Sequence, residues 1–198
     1  MHTAEKTLSA LREAIGPNVD ILIGTHGQHT TASAVKLGKM LEKYNCCWYE
    51  EPVGSENTRE LGKVVQACTV PVATGERLVM THDFQRLFED NGCAVAQPDL
   101  GIVGGITEAV KIAHMAEPKF IQMAPHCWGG PLILAAAVHV DASVPNFILQ
   151  ETVDEGLGFF KEVMEEPVVW DKGYLIPPDR PGLGVNLVED ALKKYAAE

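Results

Sequence analysis

Short apolar runs alternate with longer amphipathic segments over roughly the first 150 residues of the chain. The apolar runs are four or five residues long and rich in Val, Ile and Ala, which indicates β-strands. The longer segments place apolar side chains three or four positions apart, which indicates helices. Strands are predicted over residues 19–23, 46–49, 70–74, 94–97, 120–124 and 147–150. Helices are predicted over residues 3–15, 31–44, 56–67, 81–91, 106–117 and 131–142.

A strict alternation of strands and helices is typical of a parallel sheet with crossover helices. The predicted strands are almost continuously apolar, so we expect both of their faces to be buried. The alternation stops at Glu151. Prolines and glycines then predict an irregular C-terminal tail over residues 152–198, closed by a short helix over 188–195. We therefore expect one α/β domain over residues 1–198, with about six βα units.

Polar side chains follow each predicted strand. The residues concerned are His26, Glu50 with Glu51, Glu76, Asp99, His126 and Glu151. The C-terminal ends of the strands in a (β/α) barrel meet at one mouth, where catalytic residues lie. Buried carboxylates are unfavourable unless they are paired or bind a metal, so stability alone does not explain six such positions. The pattern predicts an active site at this mouth.

The residue types indicate the chemistry of that site. Glu50 and Glu76 offer hard oxygen ligands, which suit Mg²⁺ acting as a Lewis acid on a substrate carboxylate. Asp99 and His126 follow consecutive strands, and a carboxylate bound to an imidazole fixes its tautomer. His126 could then remove a proton from the carbon next to the metal-bound carboxylate. His26 could protonate a leaving hydroxyl.

Composition and charge exclude several other classes of protein. The 198 residues carry a formal net charge of −11, and the acidic residues are spread along the chain, which argues against a nucleic-acid-binding surface. Five cysteines without a Cys-x-x-Cys spacing favour a reducing, cytoplasmic environment over a disulfide scaffold. The N-terminus lacks the apolar region of a signal peptide, and no run is long enough to predict a membrane span.

Five short motifs carry a family resemblance. They are Trp48-Tyr49-Glu50-Glu51-Pro52, Val72-Ala73-Thr74-Gly75-Glu76-Arg77, Gln97-Pro98-Asp99 with Gly104-Gly105, Ala124-Pro125-His126 and Leu149-Gln150-Glu151. In order and spacing they resemble the mandelate racemase/muconate lactonizing enzyme subgroup of the enolase superfamily. The resemblance covers nearly the whole chain.

The resemblance implies a (β/α) TIM-type barrel and a set of site residues. Glu50 and Glu76 would be the second and third ligands of Mg²⁺, and Asp99 and His126 the catalytic dyad. Glu151 would bind substrate or act as an electrophile. His26 matches the general acid of galactonate-dehydratase-like members. The implied reaction is dehydration of an acid sugar, by abstraction of the proton next to a carboxylate through an enediolate.

The chain departs from the family pattern in three ways. Gly24 stands where the family has its first metal ligand, an Asp. Either His26 or a water would replace that carboxylate, or metal binding would be weak. The N-terminal α+β capping domain and the first two barrel strands are not in the sequence, so we expect a partial barrel. Open sheet edges would favour a homo-oligomer or pairing with a separate N-terminal half.

Two alternatives to the dehydratase hypothesis stay open. A racemase or epimerase of the same superfamily would need a second base, and the family's usual Lys pair is not in this chain. A catalytically inactive, truncated subunit is the other alternative, and Gly24 favours it. Beside the site, we expect Glu51 to support the ligands rather than bind metal, and Arg77 to pair with Glu51.

Overall fold

The computed structural model describes residues 2–153 and 159–196. Helices and strands alternate along most of its length, as predicted. The helices are α1 (His2–Ile15), α2 (Thr31–Leu41), α3 (Thr58–Ala67), α4 (Thr81–Glu89), α5 (Ile106–Ala116), α6 (Pro131–Ser143), α7 (Phe159–Val163) and α8 (Glu189–Tyr195). The strands are β1 (Leu22–Gly24), β2 (Trp48–Glu50), β3 (Val72–Thr74), β4 (Val95–Ala96), β5 (Gln122–Met123), β6 (Val169–Asp171) and β7 (Tyr174–Ile176).

Strands β1 to β5 form one parallel sheet in the order of the sequence. Each strand is joined to the next by a helix, which is the connection that parallel neighbours require. This arrangement confirms the α/β class with a parallel sheet and is consistent with part of a (β/α) barrel.

The two faces of the sheet carry two separate apolar clusters, because side chains alternate along each strand. On one face, Tyr49, Val72, Ala96 and Met123 pack with the helices in the main core. On the other face, a smaller cluster contains Trp48, Ala73, Val95 and Ala124. We call this second face the inner face, since in a closed barrel it would line the interior.

The sixth predicted strand, over residues 147–150, does not form a full strand. Phe147 makes one parallel bridge to Met123. The backbone N–H of Ile148 donates to the Met123 carbonyl over 2.9 Å, and that of Met123 donates to Asn146 over 2.8 Å. The segment therefore lies beside β5, but its pairing ends too soon to count as a sixth strand. Over residues 2–153 and 159–196 the parallel sheet has five strands, and the predicted sixth is reduced to a single bridge.

The prediction that every strand is buried on both faces is wrong for β1. In the five-stranded sheet, β1 has a neighbour only in β2. Leu22 keeps 42% of its surface exposed, although it belongs to an apolar run. Apolar composition shows what a strand can bury, whereas actual burial depends on what covers it.

The C-terminal tail is more regular than predicted. It contains α7, the antiparallel pair β6–β7 and α8. Lys172 and Gly173 form the tight turn of this hairpin, with φ values of 49° and 86°. The predicted tail also includes residues 154–158, which lie outside the described residues. The prolines that indicated irregular structure flank these elements instead of preventing them.

The predicted helices over 31–44 and 106–117 each end early in a short 3₁₀ turn, at Glu42–Tyr44 and Glu117–Lys119.

Within residues 2–153 and 159–196, none of the helices is both long and apolar enough to cross a bilayer.

Asp141 is an ionisable residue buried on α6, where it is 7% exposed. Among the described residues, neither of its carboxyl oxygens has a hydrogen-bond partner. Burial raises the pKa of this carboxyl from 3.8 to about 8, because the charged form has lost its water.

We expect Asp141→Asn to stabilise the protein at pH 8 by about 1–3 kcal/mol, with a gain that shrinks towards pH 4. Below about pH 4 the carboxyl is protonated in both the folded and the unfolded chain. As the pH rises to about 8, the unfolded chain releases its proton first, so the wild type loses stability. Calorimetry across this range measures the difference. Asp179→Asn, at an exposed position, is the control, and a gain independent of pH would contradict the explanation.

Candidate active site

Side chains alternate between the two faces of each strand, so the residue two positions after an apolar residue of the inner face lies on that same face. Two residues after Trp48 lies Glu50, and two residues after Val95 lies Gln97. Both line a cavity of about 280 Å³ at the C-terminal ends of the strands, together with Gly24 and Glu151. The parallel sheet therefore brings residues from distant parts of the sequence to one edge.

His126 and Asp99 are joined by a hydrogen bond. Nδ1 of His126 lies 2.7 Å from Oδ2 of Asp99, which is 4% exposed. The other oxygen of Asp99 accepts the backbone N–H of Gly101 over 2.7 Å. Since an ionised Asp99 can only accept, Nδ1 carries the proton and Nε2 is left to face the site. The predicted dyad is thus brought together, although its catalytic role stays a prediction.

Two further carboxylates surround the free nitrogen of His126. Nε2 lies 3.8 Å from Oε2 of Glu76 and 3.8 Å from Oε2 of Glu151. Burial by itself would lower the pKa of His126. The hydrogen bond to Asp99 and the charges of Glu151 and Glu76 outweigh burial and raise the pKa. With nothing else bound, these carboxylates favour the protonated imidazole.

Glu50 shares this crowding. Burial raises its pKa, and the negative charges of Glu76 and Glu151 raise it further. A hydrogen bond from Gln97 Nε2 to Glu50 Oε2, 2.7 Å long, acts in the opposite direction. Glu50, Glu76 and Glu151 therefore concentrate negative charge around one imidazole, and a cation would relieve their repulsion.

Glu51 lies next to the candidate ligands Glu50 and Glu76, and the structure confirms its predicted ion pair with Arg77. Arg77 Nε lies 3.1 Å from Glu51 Oε2 and 3.4 Å from Glu76 Oε1. Glu51 is 1% exposed and has a left-handed backbone, with φ of 41°. Burial, followed by the charge of Glu76, raises the pKa of Glu51 to about 7, although Arg77 opposes the shift.

Glu151 follows the segment that lies beside β5 and is an exposed residue. The backbone N–H of Cys127 donates to its Oε2 over 2.9 Å, which holds the carboxylate beside His126. The side chain of Glu151 remains 44% exposed. The structure therefore places this predicted substrate-binding residue at the open side of the cavity.

His26 lies in the turn after β1, with φ of 49°. Its neighbours anchor that turn, because Gly27 N donates to the Glu51 carbonyl over 2.8 Å and Thr25 Oγ1 to that of Glu50 over 2.9 Å. His26 itself is exposed. In the part of the chain that the structure describes, no hydrogen bond or ion pair joins it to the other candidates. Its predicted role as a general acid stays a prediction.

The donor set partly fits a hard divalent cation. Glu50 and Glu76 are hard oxygen ligands in a negatively charged cluster, and Mg²⁺ commonly takes one or two carboxylates plus water and substrate. Among residues 2–153 and 159–196, however, no three His, Cys, Asp or Glu side chains form a group that could hold a metal. A Cβ atom on Gly24 would lie 3.6 Å from Glu50 Oε1, so the missing third carboxylate corresponds to open space.

A larger cavity of about 690 Å³ borders this cluster at Arg77, and Arg59 and Asp90 are also among the residues that line it. Its charges are already matched, because Arg86 pairs with Asp83 and Arg77 pairs with Glu51. The smaller cavity is lined by two of the predicted site residues, Glu50 and Glu151, whereas none of those residues lines the larger one. The smaller cavity is therefore the better candidate active site.

Comparison with known proteins identifies the family of the chain. The model of one family, described as "Enolase C-terminal domain-like", matches residues 1–191. The chain belongs to this family. Homologues and structural neighbours place it in the mandelate racemase/muconate lactonizing enzyme subgroup of the enolase superfamily, which confirms the resemblance seen in the sequence.

Individual relatives extend the comparison. A D-galactonate dehydratase from Klebsiella pneumoniae (strain 342) is 37% identical over 195 residues. A mandelate racemase/muconate lactonizing enzyme from Jannaschia sp. CCS1 is 35% identical, with a TM-score of 0.93 over 98% of this chain. An enolase from Agrobacterium radiobacter, whose name suggests a galactarate dehydratase, was solved with bound sodium and L-malate. It is 33% identical, with a TM-score of 0.89 over 96% of this chain.

The chain spans about half the length of the relatives it matches. It covers 50% of the Klebsiella dehydratase, 50% of the Jannaschia protein and 52% of the Agrobacterium protein. The relatives therefore bear on the fold and the family directly.

We expect Arg77→Met to destabilise the protein by about 1–3 kcal/mol, because it leaves the buried carboxylate of Glu51 unpaired. Arg59→Met is the matched control, since Arg59 is 84% exposed and lies 3.9 Å from Asp90. The double variant Arg77→Met/Glu51→Gln should recover part of the loss. Denaturant unfolding measures all of these variants. Equal losses of stability in Arg77→Met and Arg59→Met would show that the Arg77–Glu51 pair contributes no more than the exposed Arg59–Asp90 pair.

Proposed function

We propose that this chain carries the proton-abstracting half of an acid-sugar dehydratase. The observation that supports it most directly is the free Nε2 of His126. The hydrogen bond between Nδ1 and Asp99 fixes the tautomer of the imidazole. The carboxylates of Glu76 and Glu151 lie 3.8 Å from Nε2. These carboxylates raise the pKa of His126, which makes its imidazole, once neutral, a stronger base for a proton next to a carboxylate.

Each residue has a proposed task in this reaction. His126 removes the proton from the carbon that bears the substrate carboxylate, and Asp99 stabilises the imidazolium that forms. Glu151, at the open side of the cavity, contacts the substrate. The hydroxyl on the next carbon then leaves as water, and His26 is the candidate proton donor.

Glu50 and Glu76 are the proposed ligands of Mg²⁺. When bound, the cation would supply positive charge that stabilises the charge developing on the substrate carboxylate and offsets the carboxylates around His126. The names of the Klebsiella and Agrobacterium relatives support an acid sugar as the substrate class.

Cation binding is the first test of this proposal. We expect Mg²⁺ to raise the melting temperature of the wild type, because a ligand that binds only the folded state stabilises it. Glu50→Gln and Glu76→Gln should each lose most of that shift. Glu13→Gln, at an exposed position on α1, should keep it. A wild type that shows no shift at millimolar Mg²⁺ would favour an inactive subunit.

Proton abstraction is the second test. With Mg²⁺ and D-galactonate in D₂O, we expect exchange of the proton next to the carboxylate, followed by an α-keto acid product. His126→Gln should slow the exchange by about 100-fold or more. His114→Gln, exposed on α5, should leave the exchange unchanged. Accumulation of an epimer without keto acid would identify an epimerase, and no exchange with any acid sugar would contradict the proposal.

Gly24 offers a test by gain of binding. Its backbone has no positive φ and a Cβ there meets nothing closer than 3.6 Å, so Asp can be accommodated. We expect Gly24→Asp to bind Mg²⁺ more tightly than the wild type, and to be less stable in EDTA because it adds a charge beside Glu50. Gly24→Asn is the uncharged control. Calorimetric titration measures the affinities, and equal affinities in all three proteins would show that position 24 does not face the cation.

A further inference from the structure

Gln97 is an uncharged residue of the site, so a search for charged side chains does not find it. It follows β4 on the inner face and is 5% exposed. Its backbone N–H donates to the Thr74 carbonyl over 2.9 Å, which fixes its place at the end of the sheet. Its side-chain Nε2 donates to Glu50 Oε2 over 2.7 Å. The amide is thus held between two strand ends and directed at one carboxylate.

The other end of the Gln97 amide is poorly satisfied. Its Oε1 is buried and has no hydrogen-bond partner among the described residues. A buried acceptor without a donor is unfavourable, and an apolar side chain of similar length would avoid that penalty. Stability therefore does not account for a glutamine here. The hydrogen bond to Glu50 is the favourable contact that its side chain makes.

The contact with Gln97 also decides which oxygen of Glu50 is available. Oε2 is occupied by Gln97, while Oε1 faces the open space at Gly24, 3.6 Å from the place of a Cβ atom. We propose that Gln97 is a positioning residue, which holds Glu50 so that one free oxygen points into the space beside Gly24. As a statement about a cation ligand, this inference rests on the proposed function.

An amide suits this task better than a charged side chain. Lys or Arg in contact with Glu50 would neutralise it and compete with a cation. A carboxylate would add repulsion to a cluster that already contains Glu76 and Glu151. The amide N–H orients the oxygen of Glu50 and leaves its negative charge in place, as hydrogen bonds to metal ligands commonly do.

The first experiment examines the Glu50 side chain directly, without any metal. Crystal structures of the wild type and of Gln97→Met are compared in EDTA. Methionine keeps the length of the side chain but cannot donate a hydrogen bond. We expect Glu50 to adopt a different rotamer or to become disordered in the variant. An unchanged Glu50 would overturn the proposal, whether or not the protein binds Mg²⁺.

The second experiment measures Mg²⁺ affinity by calorimetric titration. We expect Gln97→Met to bind about tenfold more weakly or worse, which is typical when a contact to a metal ligand is lost. Its melting temperature in EDTA should not fall. Thr74→Val is the matched control, because Thr74 is also buried and its hydroxyl has no hydrogen-bond partner among the described residues, Glu50 included. This control should keep its affinity.

The outcomes separate the two proposals. A variant that loses stability in EDTA but binds Mg²⁺ as tightly as the wild type would show that Gln97 is merely structural. A wild type that binds no Mg²⁺ would contradict the proposed function. In that case the position of Glu50 in the two crystal structures still decides whether Gln97 holds it.

Discussion

His126 donates a hydrogen bond to Asp99 over 2.7 Å, and its other ring nitrogen faces Glu76 and Glu151 at 3.8 Å each. So much negative charge near one imidazole is unfavourable unless something positive offsets it. These charges raise the pKa of His126, so they favour a protonated imidazole that offsets them. In the proposed function, a bound cation would take over that role and favour the neutral form of His126, which would couple basicity to cation binding.

Much of this arrangement could be predicted from the sequence, because a parallel sheet constrains its polar residues. Strands that run in the same direction end at the same edge, so residues that follow successive strands must meet there. That rule alone brings Glu50, Asp99 and His126 together, and it needs only the order of apolar runs. The pair between Arg77 and Glu51 could be expected too, since a carboxylate beside a buried strand requires a partner.

The features that could not be predicted depend on which other parts of the chain pack against each segment. A local sequence pattern does not encode those contacts. Leu22 lies in an apolar run but is exposed, because β1 is an edge strand. The run that begins at Phe147 pairs with β5 at a single bridge and stops. Gln97 could have been noticed from the two-residue alternation after Val95. Its importance lies in a contact with Glu50, 47 positions away, which composition and spacing do not show.

The neighbours of Glu50 and Glu51 explain how two adjacent glutamates acquire different chemistry. Glu51 points away from the cavity, is 1% exposed and meets the guanidinium of Arg77, so its charge is balanced inside the protein. Glu50 points into the cavity and meets the neutral amide of Gln97, so its charge is oriented but not cancelled. Strand β2 ends at Glu50, and the left-handed backbone of Glu51, with φ of 41°, follows directly, so one residue step separates these two environments. The open space at Gly24 lies beside Glu50 Oε1, on the side where the charge is left unbalanced.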